Sequence, residues 1–162
     1  MTKVFFYCII VCFTTLCGYI LTKKYRERKL FFNQFSHFNE RFINEIIYYK
    51  RPIQQFLSNY LYKGKFQEFL EGYWIYLKDK NNEKIALINE YSFLNNEEKR
   101  LILDYFSMIG TGDSKSQFNY FSGIKNQLNA LKNTSETEHK KYANLYLKLG
   151  FLCGLFIVII LI

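Results

Sequence analysis

One proline, one tryptophan and two histidines are all that 162 residues carry of those types. So little proline, with only eight glycines, excludes collagen-like and low-complexity chains. The two histidines, His37 and His139, each stand without cysteine, aspartate or glutamate at ligand spacing, and Glu136 and Glu138 beside His139 read as a solvated helix face. Neither a metal site nor a Ser–His–Asp arrangement is built from two scattered imidazoles. Cysteine is missing from the whole middle of the chain: Cys8, Cys12, Cys17 and Cys153 all fall in apolar end segments. That excludes a disulfide framework and leaves them as small membrane-buried hydrophobes. What is present in quantity is apolar and aromatic, 49% and 20% of the residues, with Phe 17 and Tyr 14. Those shares fit a folded chain. Heavy use of Phe, Ile, Lys, Asn and Tyr together reads as the coding bias of an A+T-rich genome.

A mean hydropathy of −0.13 conceals a partition. Val4 to Leu21 is apolar and uncharged, about 27 Å long as a helix against a hydrocarbon layer of roughly 30 Å. Leu149 to Ile162 is apolar throughout, and beginning at Leu145 gives it a comparable span if Lys148 snorkels to the headgroups. Two membrane helices are therefore expected, residues 1–22 and 145–162, around a middle of residues 23–144. No A-x-A-like site follows the first run, and Thr14 and Leu16 are poor residues ahead of Cys17 for a lipoprotein, so a retained anchor is expected. Lys23, Lys24, Arg26, Arg28 and Lys29 follow the first run, and Lys140, Lys141 and Lys148 precede or enter the second. Positive residues mark the cytoplasmic side, so both runs place the middle segment in the cytoplasm.

The middle reads as helices. Phe31, Phe35, Phe38, Phe42, Ile46 and Tyr49 recur at three- and four-residue steps, with Asn39, Glu40, Arg41 and Asn44 assigned to the opposite face. Only Gly18 stands out as a break between Val4 and Lys50, so the first helix is expected to run on into this one. Pro52 restarts the chain, and Ile53, Phe56, Leu57, Tyr60 and Leu61 mark a helix stopped at Gly64. Phe66, Phe69, Leu70, Tyr73, Trp74 and Leu77 line a core-facing stripe. A polar loop from Asp79 to Glu83 and a weak pattern through Ile85 and Ile88 follow. Asn95 with Glu98 has the shape of a capping box before Leu101, Ile102, Tyr105, Phe106 and Ile109, with Gly110 as the stop. From Ser114 onward nothing forbids one long helix, its seam running through Phe121, Ile124, Leu128 and Leu131. The polar stretch Lys132 to Lys141 reads as a solvated neck before Tyr142, Leu145 and Leu149 resume the seam. No strand-like alternation competes. The expected fold class is all-α, an antiparallel helical bundle between an N-terminal and a C-terminal transmembrane helix.

No catalytic, cofactor-binding or metal-binding residues are assigned. Gly110 to Ser116, GTGDSKS, looks like a phosphate loop but fails the G-x-x-x-x-G-K-[ST] spacing and follows a helix. It reads as a stop, a turn and an N-cap at Asp113 or Ser114. Glu97 and Glu98 suit a helix start. Asn133-Thr134-Ser135 matches a glycosylation acceptor that a cytoplasmic segment would never use. The net charge of +8 raises nucleic acid, but the basic residues are densest beside the first apolar run, where anionic lipid attraction suffices, and no nucleic-acid motif accompanies them. Gly150 and Gly154 form G-x-x-x-G inside an apolar helix, a candidate packing face. Lys23, Lys24, Arg26 and Arg28 are the candidate topology determinants.

Several stretches taken together resemble the stage III sporulation protein AB family of endospore-forming bacteria. Leu147-Lys148-Leu149-Gly150-Phe151-Leu152-Cys153-Gly154 is similar to that family's K-x-L-G-x-x-x-G lead into its last helix. Tyr25-Arg26-Glu27-Arg28 follows the first run as it does there. Glu45-Ile46, Tyr48 and Pro52-Ile53 are similar to E-I-x-Y-x-x-T-P-L, with Arg51 where threonine is usual. Ile109-Gly110, Asp113 and Gln117 are similar to L-G-x-x-D-x-x-x-Q. Low alanine and heavy Phe and Tyr use depart from the better-known members. The resemblance implies a non-enzymatic component of the channel or secretion apparatus joining mother cell and forespore, similar to the platform F proteins of type II secretion. It implies multi-pass insertion in the mother-cell membrane around the forespore. Its implied partners are membrane lipid, other stage III sporulation membrane proteins and a secretion-type ATPase, stage III sporulation protein AA, with homo-oligomerisation left open. A rival reading is a membrane-tethered basic binder of anionic lipid or nucleic acid.

Overall fold

A computed structural model describes residues 2–49, 52–58, 61–79 and 87–161. Among these, all regular structure is helical: α1 Thr2–Leu21, α2 Lys23–Asn44, a π-helical turn Glu45–Tyr49, α3 Ile53–Ser58, α4 Lys65–Asp79, α5 Leu87–Glu90, α6 Asn96–Ser107 and α7 Ser114–Leu161. Tyr60, Ile85 and the loop expected over residues 80–83 lie outside the described residues. The chain forms two compact units, one of Met1–Arg26 with Ser135–Ile162 and one of Glu27–Thr134.

The second unit is a bundle with an aromatic core. Phe31, Phe35, Phe38 and Phe42 of α2 are buried as their spacing predicts, and so is Phe32. They meet Phe66 and Phe69 of α4, Tyr105 and Phe106 of α6, and Phe121 of α7. The rings pack mostly edge to face, with centroids 4.8 Å apart for Phe35–Tyr105, 4.8 Å for Phe69–Phe106 and 4.9 Å for Phe42–Phe121. Such geometry sets positive ring edges against negative faces, worth about 0.5–1.5 kcal/mol per pair beyond area burial. Coding bias alone therefore does not account for the aromatic content: the rings fill the core. Along α4, Phe66, Phe69, Leu70 and Tyr73 are buried and Trp74 is half-buried.

Several local expectations change. Asn39, placed on the polar face, is 1% exposed. Its amide donates to the Phe121 carbonyl at 3.3 Å, and its Oδ1 accepts the Tyr105 hydroxyl at 2.9 Å. It lies four residues after Phe35 and three before Phe42, which puts it on the buried stripe whatever its polarity. Tyr49 is 64% exposed because the chain closes a π-turn over Glu45–Tyr49. The wider i→i+5 turn rotates these positions away from the α-helical stripe. Helix α3 ends at Ser58, which leaves Leu61 90% exposed. Gly64 does not stop α3; it adopts φ +64° and opens α4, its carbonyl accepting from the amides of Gln67 and Glu68.

Other caps form as their sequences suggest. Asn95 and Glu98 make the full capping box: the Asn95 side chain accepts from the Glu98 amide, and the Glu98 carboxylate accepts from the Asn95 amide. Two orphan donors of the first turn are thereby satisfied. Helix α6 ends at Ser107, Gly110 and Gly112 take positive φ, and Asp113 Oδ1 caps α7 by accepting the Ser116 amide at 2.9 Å. The phosphate-loop lookalike is thus a turn between helices. Four residues after it, Tyr120 begins the seam that leads through the buried Phe121 and Leu128.

Candidate membrane-helix pair and its basic end

The first unit is built from α1 and the C-terminal part of α7. Both helices are long and apolar enough to cross a membrane. The first helix, expected to run on past Gly18, does pass Gly18 and is interrupted only at Thr22, whose hydroxyl donates to the Tyr19 carbonyl at 2.7 Å while its amide bonds the same oxygen. Side-chain oxygens that compete for backbone partners loosen a helix locally, which a glycine inside a tightly packed helix does not.

Gly18 is a contact residue. A Cβ built there would lie 2.5 Å from the Tyr146 carbonyl oxygen and 3.5 Å from the Gly150 Cα. One on Gly150 would lie 2.7 Å from the Thr14 carbonyl, and one on Gly154 would strike Thr14 Oγ1 and come within 2.9 Å of the Val11 Cα. The backbones of α1 and α7 therefore approach where side chains larger than hydrogen do not fit. The Thr14 and Thr15 hydroxyls are satisfied within α1, by the carbonyls of Ile10 and Val11. The G-x-x-x-G spacing marks Gly150 and Gly154 in the sequence, whereas Thr14 and Gly18, which face them and are also small residues four apart, carry no such motif.

These contacts fix an antiparallel register. Tyr7 donates to the Leu161 carbonyl at 3.5 Å, Val11 meets Gly154, Gly18 meets Tyr146 and Gly150, and Tyr25 stacks on Tyr142 with centroids 4.5 Å apart. Leu21 and Leu145 thus sit at the same level. Lys23, Lys24 and Arg26 consequently lie at the same end of the pair as Lys140, Lys141 and Lys148, all six exposed. Cations rest on rings there: Lys24 over Tyr25 at 5.0 Å, Lys141 over Tyr142 at 5.6 Å and Arg26 over Tyr19 at 5.4 Å. The Arg26 guanidinium also donates to the Tyr19 hydroxyl. Burial first, then the hydrogen bond with Tyr146, pushes the Tyr25 hydroxyl up to about 12, so it stays a neutral phenol. The neck is not solvated all round, since Ser135 is 1% exposed.

Arg28 belongs to the other unit. Its guanidinium forms an ion pair with the Glu98 carboxylate that also caps α6, and it lies 5.5 Å over Phe32. The bundle holds a cavity of about 260 Å³ whose lining includes Phe42, Glu45, Ile46, Ile53, Phe56 and Ile109. Among the described residues of its lining Glu45 is the one carboxylate, with Ser114 and Gln117 as further polar residues. No group of three His, Cys, Asp or Glu residues positioned for a metal occurs among the described residues.

The profile of the stage III sporulation protein AB family matches residues 3–162, both apolar helices and the bundle together. This chain belongs to the stage III sporulation protein AB family. No curated protein and no solved structure matches it. Membership of the stage III sporulation protein AB family ties the helix pair and the aromatic bundle to one role, in stage III of sporulation.

Proposed function

We propose that this chain is a non-enzymatic membrane platform of the apparatus joining mother cell and forespore, and that its bundle docks a secretion-type ATPase, stage III sporulation protein AA, in the cytoplasm. The observation that carries the reading is the family match across the whole architecture, membrane-length helices and bundle alike. The common basic end of the α1–α7 pair supports a topology with both termini outside, because positive residues stay on the cytoplasmic face. Tyr48, Tyr49, Leu61 and Met108 support docking: they are apolar or aromatic residues that the bundle leaves exposed. A partner protein covers such surface, as water does not reward its exposure.

The test is a pull-down of the ATPase by the full chain in mild detergent, across a salt series. Saturable binding that survives moderate salt and falls at least tenfold in Leu61→Asp and Tyr48→Asp is the expected result. Absence of binding, or retention that vanishes with added salt and ignores both substitutions, rejects the platform role.

A further inference from the structure

The helix pair carries a groove that its own packing does not use. Cys12, Thr15, Leu16 and Tyr19 of α1 and Leu147 and Phe151 of α7 line a groove of about 570 Å³, almost wholly apolar. That volume suits a small-molecule or lipid-chain segment. At one end stands Tyr19, and over its ring lies the Arg26 guanidinium, hydrogen-bonded to its hydroxyl. Lys148 is three residues from Phe151, on the same side of α7, and it is exposed. An apolar groove with Arg26 over the tyrosine at one end and the exposed Lys148 on the same side of α7 suits an amphiphile with an anionic head.

We propose that this groove binds an anionic phospholipid, one acyl chain lying along Thr15, Leu16 and Phe151 and the phosphate held by Arg26 and Lys148. It rests on the reading that α1 and the end of α7 span a membrane, which brings lipid to the groove and sets the basic end at headgroup level. Tyr19 fits this place, because tyrosine favours the interface where its ring is apolar and its hydroxyl wet. Its ring face and hydroxyl hold the guanidinium in position before a phosphate arrives, so less side-chain freedom is lost on binding. A zwitterionic lipid fills the same groove but brings no net charge to the two cations. The site therefore discriminates by head and not by tail. Six basic residues gather at this end, against Glu136 and Glu138 on the same stretch of α7, so the wider field favours the anion as well.

The full chain, reconstituted into phosphatidylcholine vesicles with a minor share of phosphatidylglycerol and then extracted in mild detergent, is examined for retained lipid by native mass spectrometry. Wild type is expected to retain phosphatidylglycerol well above its share in the vesicles. Arg26→Gln is expected to lower that enrichment about fivefold, as befits one basic residue at a headgroup. Thr15→Phe, which fills the groove, is expected to remove both lipids, while Lys63→Gln in the bundle leaves retention unchanged. Retention at the bulk vesicle ratio, or an equal loss in Lys63→Gln, would overturn the site in favour of unspecific attraction. A disulfide-linked dimer through Cys12, in a chain with Cys8, Cys17 and Cys153 replaced by Ala, would overturn it by giving the groove to a second copy. An alkaline carbonate wash separates the two readings. A chain that resists stripping but shows no enrichment loses only the lipid site; a chain that is stripped loses the membrane reading and the site with it.

Discussion

Asn39 shows how one polar residue can specify where aromatic helices stop sliding. Phenyl rings pack in many registers, since edge-to-face contacts are tolerant of rotation and of a shift along the helix. The Asn39 amide removes that tolerance by bonding the Phe121 carbonyl of α7 and the Tyr105 hydroxyl of α6 at once. Both partners are buried, so neither has water to fall back on. Asn39→Ala is expected to cost about 1–3 kcal/mol, because it leaves a buried hydroxyl and reduces the satisfaction of a buried carbonyl. Urea unfolding of the full chain in mild detergent measures it, and a loss below about 0.5 kcal/mol, typical of surface positions, would mean the pair finds other partners. The same scale explains why Asn39 was misplaced. Polarity argued for solvent while spacing argued for the core, and spacing reports the direction of the Cβ whereas polarity reports only a preference. Leu61 errs in the opposite sense, since its apolar character continued a pattern that the backbone had already left.

At the scale of elements, helix α6 joins two functions in one carboxylate. Glu98 accepts the Asn95 amide as the return half of a capping box, and it pairs with Arg28 from α2. Both side chains are largely withdrawn from solvent, Glu98 with 4% and Arg28 with 13% of its side-chain area exposed. Glu98→Gln preserves the cap, as glutamine serves there too, but takes the negative charge out of the Arg28–Glu98 ion pair. Breaking a largely buried ion pair by removing one of its charges is expected to destabilise by about 3 kcal/mol, against about 1 kcal/mol for Asn95→Ala, which loses the cap and keeps the ion pair. The ordering of the two, read from urea midpoints of the full chain, is the decisive quantity; equal losses would mean the ion pair adds nothing beyond the cap. The cap was legible in the sequence because its three-residue spacing is local, and the Arg28 pairing was not, because seventy residues separate the partners and only the fold brings them together. The helix stripes of α2, α4 and α6 were legible for the same local reason. The π-turn at Glu45–Tyr49, the break at Thr22 and the Thr14–Gly18 complement to Gly150–Gly154 were not. Each depends on what a neighbouring helix or turn demands and leaves no periodic trace of its own.

Across the whole molecule, the tyrosines that build the bundle also set the limit of its stability in alkali. Burial raises Tyr73, Tyr91 and Tyr105 above a phenol's ordinary 10.0, Tyr91 to about 12 with the carboxylates of Glu68 and Glu90 adding to it. Each donates its proton to a hydrogen bond that the phenolate would lose: Tyr73 to the Phe106 carbonyl, Tyr91 to the Lys65 carbonyl and Tyr105 to Asn39. The folded chain thus holds these protons more tightly than the unfolded one. Their contribution to stability is whole below about pH 10 and falls as the pH rises from there through the folded-state values, because only the unfolded chain has released its protons in that window. The full chain in detergent is expected to keep its helical circular dichroism to about pH 10 and then to lose it cooperatively, with tyrosinate absorbance rising in the same transition. Tyr73→Phe, which removes an ionisable group and keeps the ring, is expected to shift that transition to higher pH even if it costs some stability at neutrality. Exposed tyrosines such as Tyr48 and Tyr49 also ionise in alkali, so the deciding quantity is the difference between the two chains. A tyrosinate rise near pH 10, with the helices intact, that is smaller in Tyr73→Phe would mean that the Tyr73 hydroxyl reaches solvent and that the aromatic core is looser than its packing implies.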